Sequence, residues 1–394
     1  MDGSESRYRA WLEARAKSGL LRELRSAAHD APGFVSYGGA SFVNFSSSDY
    51  LGLSRHPLLI ERAHEWAQRY GAGAAASRLV TGNLDLFDGV EAKVAQLKNK
   101  PAALVMASGF QTNATVLQAL FDKGVLAAEP IIFADQLIHA SMHFGCWAAG
   151  VRQHRYHHCD MQHLASLLAK HGQESGPKFI LTESIFSMDG DVAPMAELAA
   201  LAEKFNAMLI CDDAHATGVL GARGEGLSGA ADVVIGTFSK ALGSYGAYVA
   251  CSEGLRDYLV NRCSGLIYSA ALPPPLLGAI DASLELVPGL DAERAHVQAL
   301  AASFREGAGA LGYDTGASST QIVPLIIGGS QDALDLSARL KDSGFWVTAI
   351  RPPTVPEGTA RLRLTFSAAH KRAQVDALLD TLSGTLGQNR ASMP

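Results

Sequence analysis

Four polar side chains stand where continuous apolar runs end. AMLICDD (207–213) continues as AHATG, so Asp212, Asp213 and His215 follow directly on text that reads as a buried strand. A carboxylate there is costly unless a cation meets it. One such cation is a protonated ring nitrogen, which could then accept electrons from a substrate carbanion. An acidic metal ligand and a helix N-cap stay open on these residues alone. DVVIGT (232–237) is followed by FSKALGSYG, which places Lys240 just past a second apolar run. An amine in a partly desolvated pocket loses proton affinity and becomes a usable nucleophile and base. A lone lysine is more often a surface residue, but Asp212 and Lys240, each at a strand end, argue for a shared site. Thr237 and Ser239 offer hydroxyls to a phosphate, and Gly243 and Gly246 let the backbone pass close to a bulky ligand.

Two further strand ends add to the set. ASGFQTNAT (107–115) follows an apolar run and opens a helix, so the N–H groups of Gly109 and Phe110 can face an anion at a helix start. It is a phosphate site by position, without a P-loop or G-x-G-x-x-G fingerprint. ADQLIHASM puts His139 after another run, where an imidazole could stack on a flat ring or merely begin a helix. HRYHHCD (154–160) gathers three histidines and a cysteine. Their side chains diverge along an extended stretch and Asp160 reads as an N-cap, so no metal is expected.

The elements that must position these residues show in the apolar rhythm. AALVMAS (102–108), PIIFAD (130–135), KFILTES (178–184), AMLICDD and DVVIGT read as strands buried on both faces, with helical text between them. That predicts an α/β fold with a mostly parallel central sheet, whose ligands bind at the carboxyl ends of the strands. Residues 5–28 carry apolar residues at helical spacing and predict one amphipathic helix. Residues 56–70 are helical and 71–83 a small-residue loop. After Pro273-Pro274-Pro275 the text turns strongly helical. QIVPLIIGG, FWVTAI and ARLRLTFS then predict strands of a smaller C-terminal α+β domain, closed by a helix near 371–386. The expected domains are an N-terminal helix and arm (1–45), a large α/β domain (46–280) and a small domain (281–394).

Composition narrows the classes. The 394 residues carry a net charge of −6, against the basic stripe a nucleic-acid binder needs. Five cysteines without a C-x-x-C pair suggest reduced, buried thiols. The charged N-terminal stretch lacks an apolar signal core and no run matches a membrane span. A soluble cytoplasmic protein is expected.

SIFSMDGD (184–191), CDDAHATGV (211–219), TFSKALG (237–243) and WVTAIRPPTVPEGTARLRLT (346–365) together resemble the α-oxoamine synthases. The resemblance runs from NFSSSDYLGL (44–53) to RLRLTFSAAH (361–370). It implies a fold-type I, aspartate aminotransferase-like transferase with pyridoxal 5′-phosphate (PLP) bound to Lys240 as a Schiff base. It implies that Asp212 pairs with the ring nitrogen, His215 with the phenolic oxygen, and that His139 stacks on the ring. Gly109, Phe110 and Thr237 are implied at the phosphate and Ser187 in the cofactor pocket. Arg363 is implied at the amino-acid carboxylate, with Arg22, Arg351 and Thr354 as further substrate contacts.

The implied reaction is a decarboxylative condensation of L-alanine with a pimeloyl thioester, carried on coenzyme A or acyl-carrier protein. The implied assembly is a homodimer with active sites at its interface. Five positions in three segments depart from the family pattern. Ser48 replaces an asparagine near substrate. Ala75 and Ala76 replace glycines. Ala270 and Ala271 remove hydroxyls from a segment that reaches the neighbouring subunit's phosphate, where Ser269 could keep the contact. Ser77 stands where aminolevulinate synthases carry threonine, and leaves room for alanine's methyl, a selectivity of about 1–3 kcal/mol. The competing readings are an oxoamine synthase using glycine or serine with another acyl donor, and a non-catalytic subunit of the same fold. A nicotinamide oxidoreductase needs a glycine fingerprint that the chain lacks.

Overall fold

A computed structural model describes residues 2–391. They form two compact units. One comprises Ser48–Ser187 and Asp191–His296. The other comprises the chain up to Ser47, Met188–Gly190 and everything from Val297 onward.

The first unit is built on a seven-stranded sheet. Its order is Ala102–Met106, Ala247–Cys251, Val233–Thr237, Ala207–Asp212, Lys178–Glu183, Ile131–Asp135 and Gln153–Tyr156. Every strand runs the same way except Ala247–Cys251, which is antiparallel to both neighbours. The five runs picked out by their apolar text are all present as strands. They read as continuous apolar text because helices cover both faces, as in most parallel sheets. Helices Gly109–Leu120 and Ala140–Ala148 follow two of the strands. The core is shared by sheet and helices, with Phe121 and Phe179 meeting edge to face at 4.9 Å between ring centres.

The second unit holds two three-stranded sheets. Ile322–Gly328, Ala360–Thr365 and Thr348–Ile350 form one; Phe34–Tyr37, Ala40–Asn44 and Phe345–Trp346 form the other. The closing helix runs over Arg372–Ala391.

Three expectations differ from this architecture. The N-terminal helix covers Asp2–Lys17 instead of 5–28. Gly19 adopts φ +64, and Gly19 N–H and Leu20 N–H turn back to the carbonyls of Ala16 and Arg15, which closes the helix. Residues 1–45 are not a separate arm, because Phe345–Trp346 pairs in parallel with Ala40–Asn44. The change of unit falls at 296/297 rather than near 280, because helix Pro274–Leu286 packs on helices Pro57–Tyr70 and Leu86–Lys98 of the large unit. Among the described residues, no helix is long and apolar enough to cross a membrane.

Candidate active site

The carboxyl ends of the central strands open onto a cavity of about 220 Å³ in the large unit. Asp212 is the last residue of its strand. It accepts hydrogen bonds from Asn113 Nδ2 at 2.7 Å and from the Ala214 N–H at 3.0 Å. Lys240 Nζ lies 3.0 Å from His215 Nε2, and His215 Nδ1 lies 2.7 Å from the Tyr50 hydroxyl. The buried Tyr50 thus fixes the imidazole that meets the lysine. His139 begins helix Ala140–Ala148, with Nδ1 2.6 Å from Ser141 Oγ, which in turn accepts from Asn113 at 3.0 Å. Burial pushes the His139 pKa down; Asp212 opposes this and Lys240 reinforces it. The ring is therefore a neutral, flat face on the cavity wall.

Another part of the cavity wall suits an anion. Gly109 and Phe110 form the first turn of Gly109–Leu120, whose cap is Ser108. Thr237 and Ser239 present hydroxyls 2.7 Å apart beside them, and both line the same cavity. Two wall acceptors, Asn113 Oδ1 and Glu183 Oε1, are buried with no hydrogen-bond partner among the described residues. The arrangement can take a flat ring with a cationic nitrogen at Asp212, an anionic group at the helix start and an electrophilic carbon at Lys240.

The structure brings Lys240, His139, Asp212, His215, Gly109, Phe110 and Thr237 together around this cavity. Ser187 is half-buried and does not line it, although its backbone N–H reaches the Glu183 carboxyl. Ser48 sits two residues before Tyr50 and accepts that residue's N–H at 2.9 Å. Ser77 and Ser269 meet in a separate surface groove, where Ser77 bridges Ala270. The four remaining residues belong to the other unit. There Arg22 donates to Thr354 Oγ1 at 3.2 Å, and Arg351 donates to the Gly19 carbonyl. Burial lowers the Arg351 pKa, helped by the nearby Arg22, Arg25 and Arg15. Arg363 is half-buried in strand Ala360–Thr365, on the same face as Arg361, which pairs with Asp189.

Asn113, Glu183, Tyr50 and Ser141 escaped the sequence reading. Asn113 carried a usable signal, since it falls one turn after Gly109 on the same helix face. The run 154–160 turns several ways. His158 lies between Asp135 and Asp191, at 3.0 and 2.7 Å, whereas the His157 ring packs on His163. Burial pulls the His158 pKa down, but the two carboxylates outweigh it and raise it to about 12. Asp160 caps helix Met161–Lys170, as its position suggested.

The family model for aminotransferase class I and II matches residues 40–382. An 8-amino-7-oxononanoate synthase from Gluconacetobacter diazotrophicus is 54% identical over 368 residues, 92% of each chain. A serine palmitoyltransferase from S. paucimobilis, solved with a PLP–myriocin aldimine, is 25% identical with a TM-score of 0.91, covering 100% of both chains. An 8-amino-7-oxononanoate synthase from Francisella tularensis is 27% identical with a TM-score of 0.76, covering 89% of this chain and 99% of the other.

Proposed function

Starting from the fact that the chain belongs to the class I and II aminotransferase family, we propose that it joins L-alanine to a pimeloyl thioester. The products are 8-amino-7-oxononanoate, CO₂ and the free thiol, a step of biotin synthesis. The protein is an acyltransferase, and its cofactor is PLP. The observation that carries this reading is the meeting of Lys240, His215 and Asp212 in one cavity that the start of helix Gly109–Leu120 also lines.

The cavity fits the cofactor on its own terms. Buried Asp212 suits a cation, the Gly109 helix start suits an anion, and the neutral His139 face suits a ring. When bound, PLP supplies an electron sink for the carbanion at alanine Cα and for the charge left as CO₂ departs. Lys240 Nζ would anchor it until the alanine amine displaces the lysine, and the freed amine would then take the Cα proton and return one to the product carbon. Asp212, steadied by Asn113, meets the ring nitrogen. His215, steadied by Tyr50, bonds the phenolic oxygen and aims Lys240. The Gly109 and Phe110 N–H groups and the Thr237 and Ser239 hydroxyls hold the phosphate, and Ser187 backs the pocket.

Arg363 grips the alanine carboxylate, for which a guanidinium fork is suited. Arg22, Arg351 and Thr354 contact the substrate, and Ser48 and Ser77 shape the space around it. We read the working form as a homodimer in the cytoplasm. Ser269, placed outside its own cavity, would reach the partner's phosphate. Exposed Phe144, Trp147 and Tyr268 supply apolar surface for an interface. The acyl donor rides on coenzyme A or on acyl-carrier protein.

Borohydride reduction followed by peptide mass spectrometry tests the anchor. The phosphopyridoxyl label is expected on Lys240; a label on another lysine, or none after added cofactor, would reject this reading.

A further inference from the structure

Strands Lys178–Glu183 and Ala207–Asp212 run parallel and in register, with Glu183 opposite Asp212. Paired positions of neighbouring strands stand on one face of the sheet, and both side chains line the Lys240 cavity. Glu183 is 2% exposed and Asp212 8%. Two carboxyl groups so placed cannot both ionise without a large Coulomb and desolvation cost.

The hydrogen bonds decide which one carries charge. Asp212 accepts from the Asn113 amide at 2.7 Å and from the Ala214 N–H at 3.0 Å, and such donors favour a carboxylate. The backbone N–H groups of His139 and Ser187 reach the Glu183 carboxyl, but its Oε1 is buried with no partner among the described residues, so ionised Glu183 would leave one oxygen bare, whereas both oxygens of Asp212 accept a hydrogen bond. We infer that Glu183 stands in this cavity as a neutral carboxylic acid, while Asp212 carries the single negative charge of the pair.

The charged and titratable groups around it agree. Burial first, and then Asp212, drive the Glu183 carboxyl well above its ordinary range. Lys240 and the backbone N–H groups of His139 and Ser187 pull the other way and offset only part. His139, itself pushed towards the neutral form, adds no positive charge. The use of this arrangement rests on the proposed cofactor reading. One negative charge balances one protonated ring nitrogen, and Glu183 faces the bound group as an O–H donor instead of a second anion. Glu183 is thus a positioning residue that sets the charge of the pocket. A carboxylic acid kept neutral so that it can donate is an established device in enzyme sites.

Infrared difference spectroscopy with ¹³C-labelled glutamate reads the protonation state directly, on the protein with and without cofactor at neutral pH. The expected result is a carboxylic-acid C=O band that moves with the label and vanishes in Glu183→Gln. Its absence from the unsubstituted protein, or its survival in the variant, overturns the inference. A second readout uses the pH midpoint of the holoenzyme's cofactor absorbance. Because Glu183→Gln replaces one neutral donor by another, the midpoint should move by less than about half a unit. A larger shift, approaching the ~1.4 kcal/mol of a full unit, means that a charge was removed and also overturns it. Failure to take up cofactor would count against the proposed function alone, since the infrared band is read on the cofactor-free protein as well.

Discussion

Asp212 and Asp213 are neighbours in sequence with opposite duties. Asp212 faces the cavity, whereas Asp213 turns to buried Lys98, whose Nζ lies 2.5 Å from its carboxylate, 2.6 Å from Thr217 Oγ1 and 2.5 Å from the Glu225 carbonyl. Burial disfavours the ammonium, but Asp213 and Tyr248 outweigh it and hold the Lys98 pKa above its usual value. Lys98→Ala strands a buried charge, so urea denaturation should show a loss of about 3–5 kcal/mol; a loss within error would refute the pairing. His158 sets a pH test. Its folded value of about 12 lies above the ordinary 6.5, so the folded protein holds an extra proton between the two. The stability this supplies is full below about pH 6.5 and drains as pH climbs towards 12. His158→Gln should therefore cost more melting temperature near about pH 6 than near about pH 9, and equal losses would contradict the assignment. Lys240, Asp212 and His215 were legible in the sequence because each follows an apolar run. Glu183 ends such a run too, but only the pairing of its strand with Asp212 shows what it faces. Tyr50 and Lys98 gave no local signal, because their partners lie on distant elements.

At the scale of elements, the two helices that follow the site strands are spaced by a glycine. A Cβ on Gly145 would lie 2.8 Å from Leu117 Cβ and 2.9 Å from the Asn113 carbonyl. Gly145→Ala must push apart the helix begun by His139 and the helix carrying Asn113. Overpacking of this kind costs about 1–3 kcal/mol. The melting temperature should fall, and cofactor titration should show weaker binding because Asn113 loses its aim at Asp212; an unchanged cofactor affinity would uncouple the helix spacing from the site. A glycine inside a helix gives no sequence hint of such a contact. The same limit applies to strand Ala247–Cys251. Its apolar text is that of any doubly buried strand, and its antiparallel direction follows only from the pairing. Ala75 shows the reverse, since the family's glycine there marks a left-handed turn, and the alanine adopts φ 58.

The whole molecule is two units, and the sequence placed the turn to the smaller one a helix too early. Apolar text cannot reveal that Pro274–Leu286 packs on the large unit. It also gave no sign that strand Ala40–Asn44 pairs with Phe345–Trp346. The proposed homodimer predicts a sedimentation mass twice the 41.5 kDa of one chain; a single species at chain mass would rule out a site shared between subunits. A donor panel identifies the two carbon skeletons proposed to meet at Lys240. With L-alanine as acceptor, CO₂ release is measured for pimeloyl, succinyl, acetyl and palmitoyl thioesters under one set of conditions. The fastest release is expected with a pimeloyl donor, and that release should be lost in Lys240→Ala. A preference for a succinyl or palmitoyl donor would reject the proposed acyl donor, and release that survives without Lys240 would reject its proposed role.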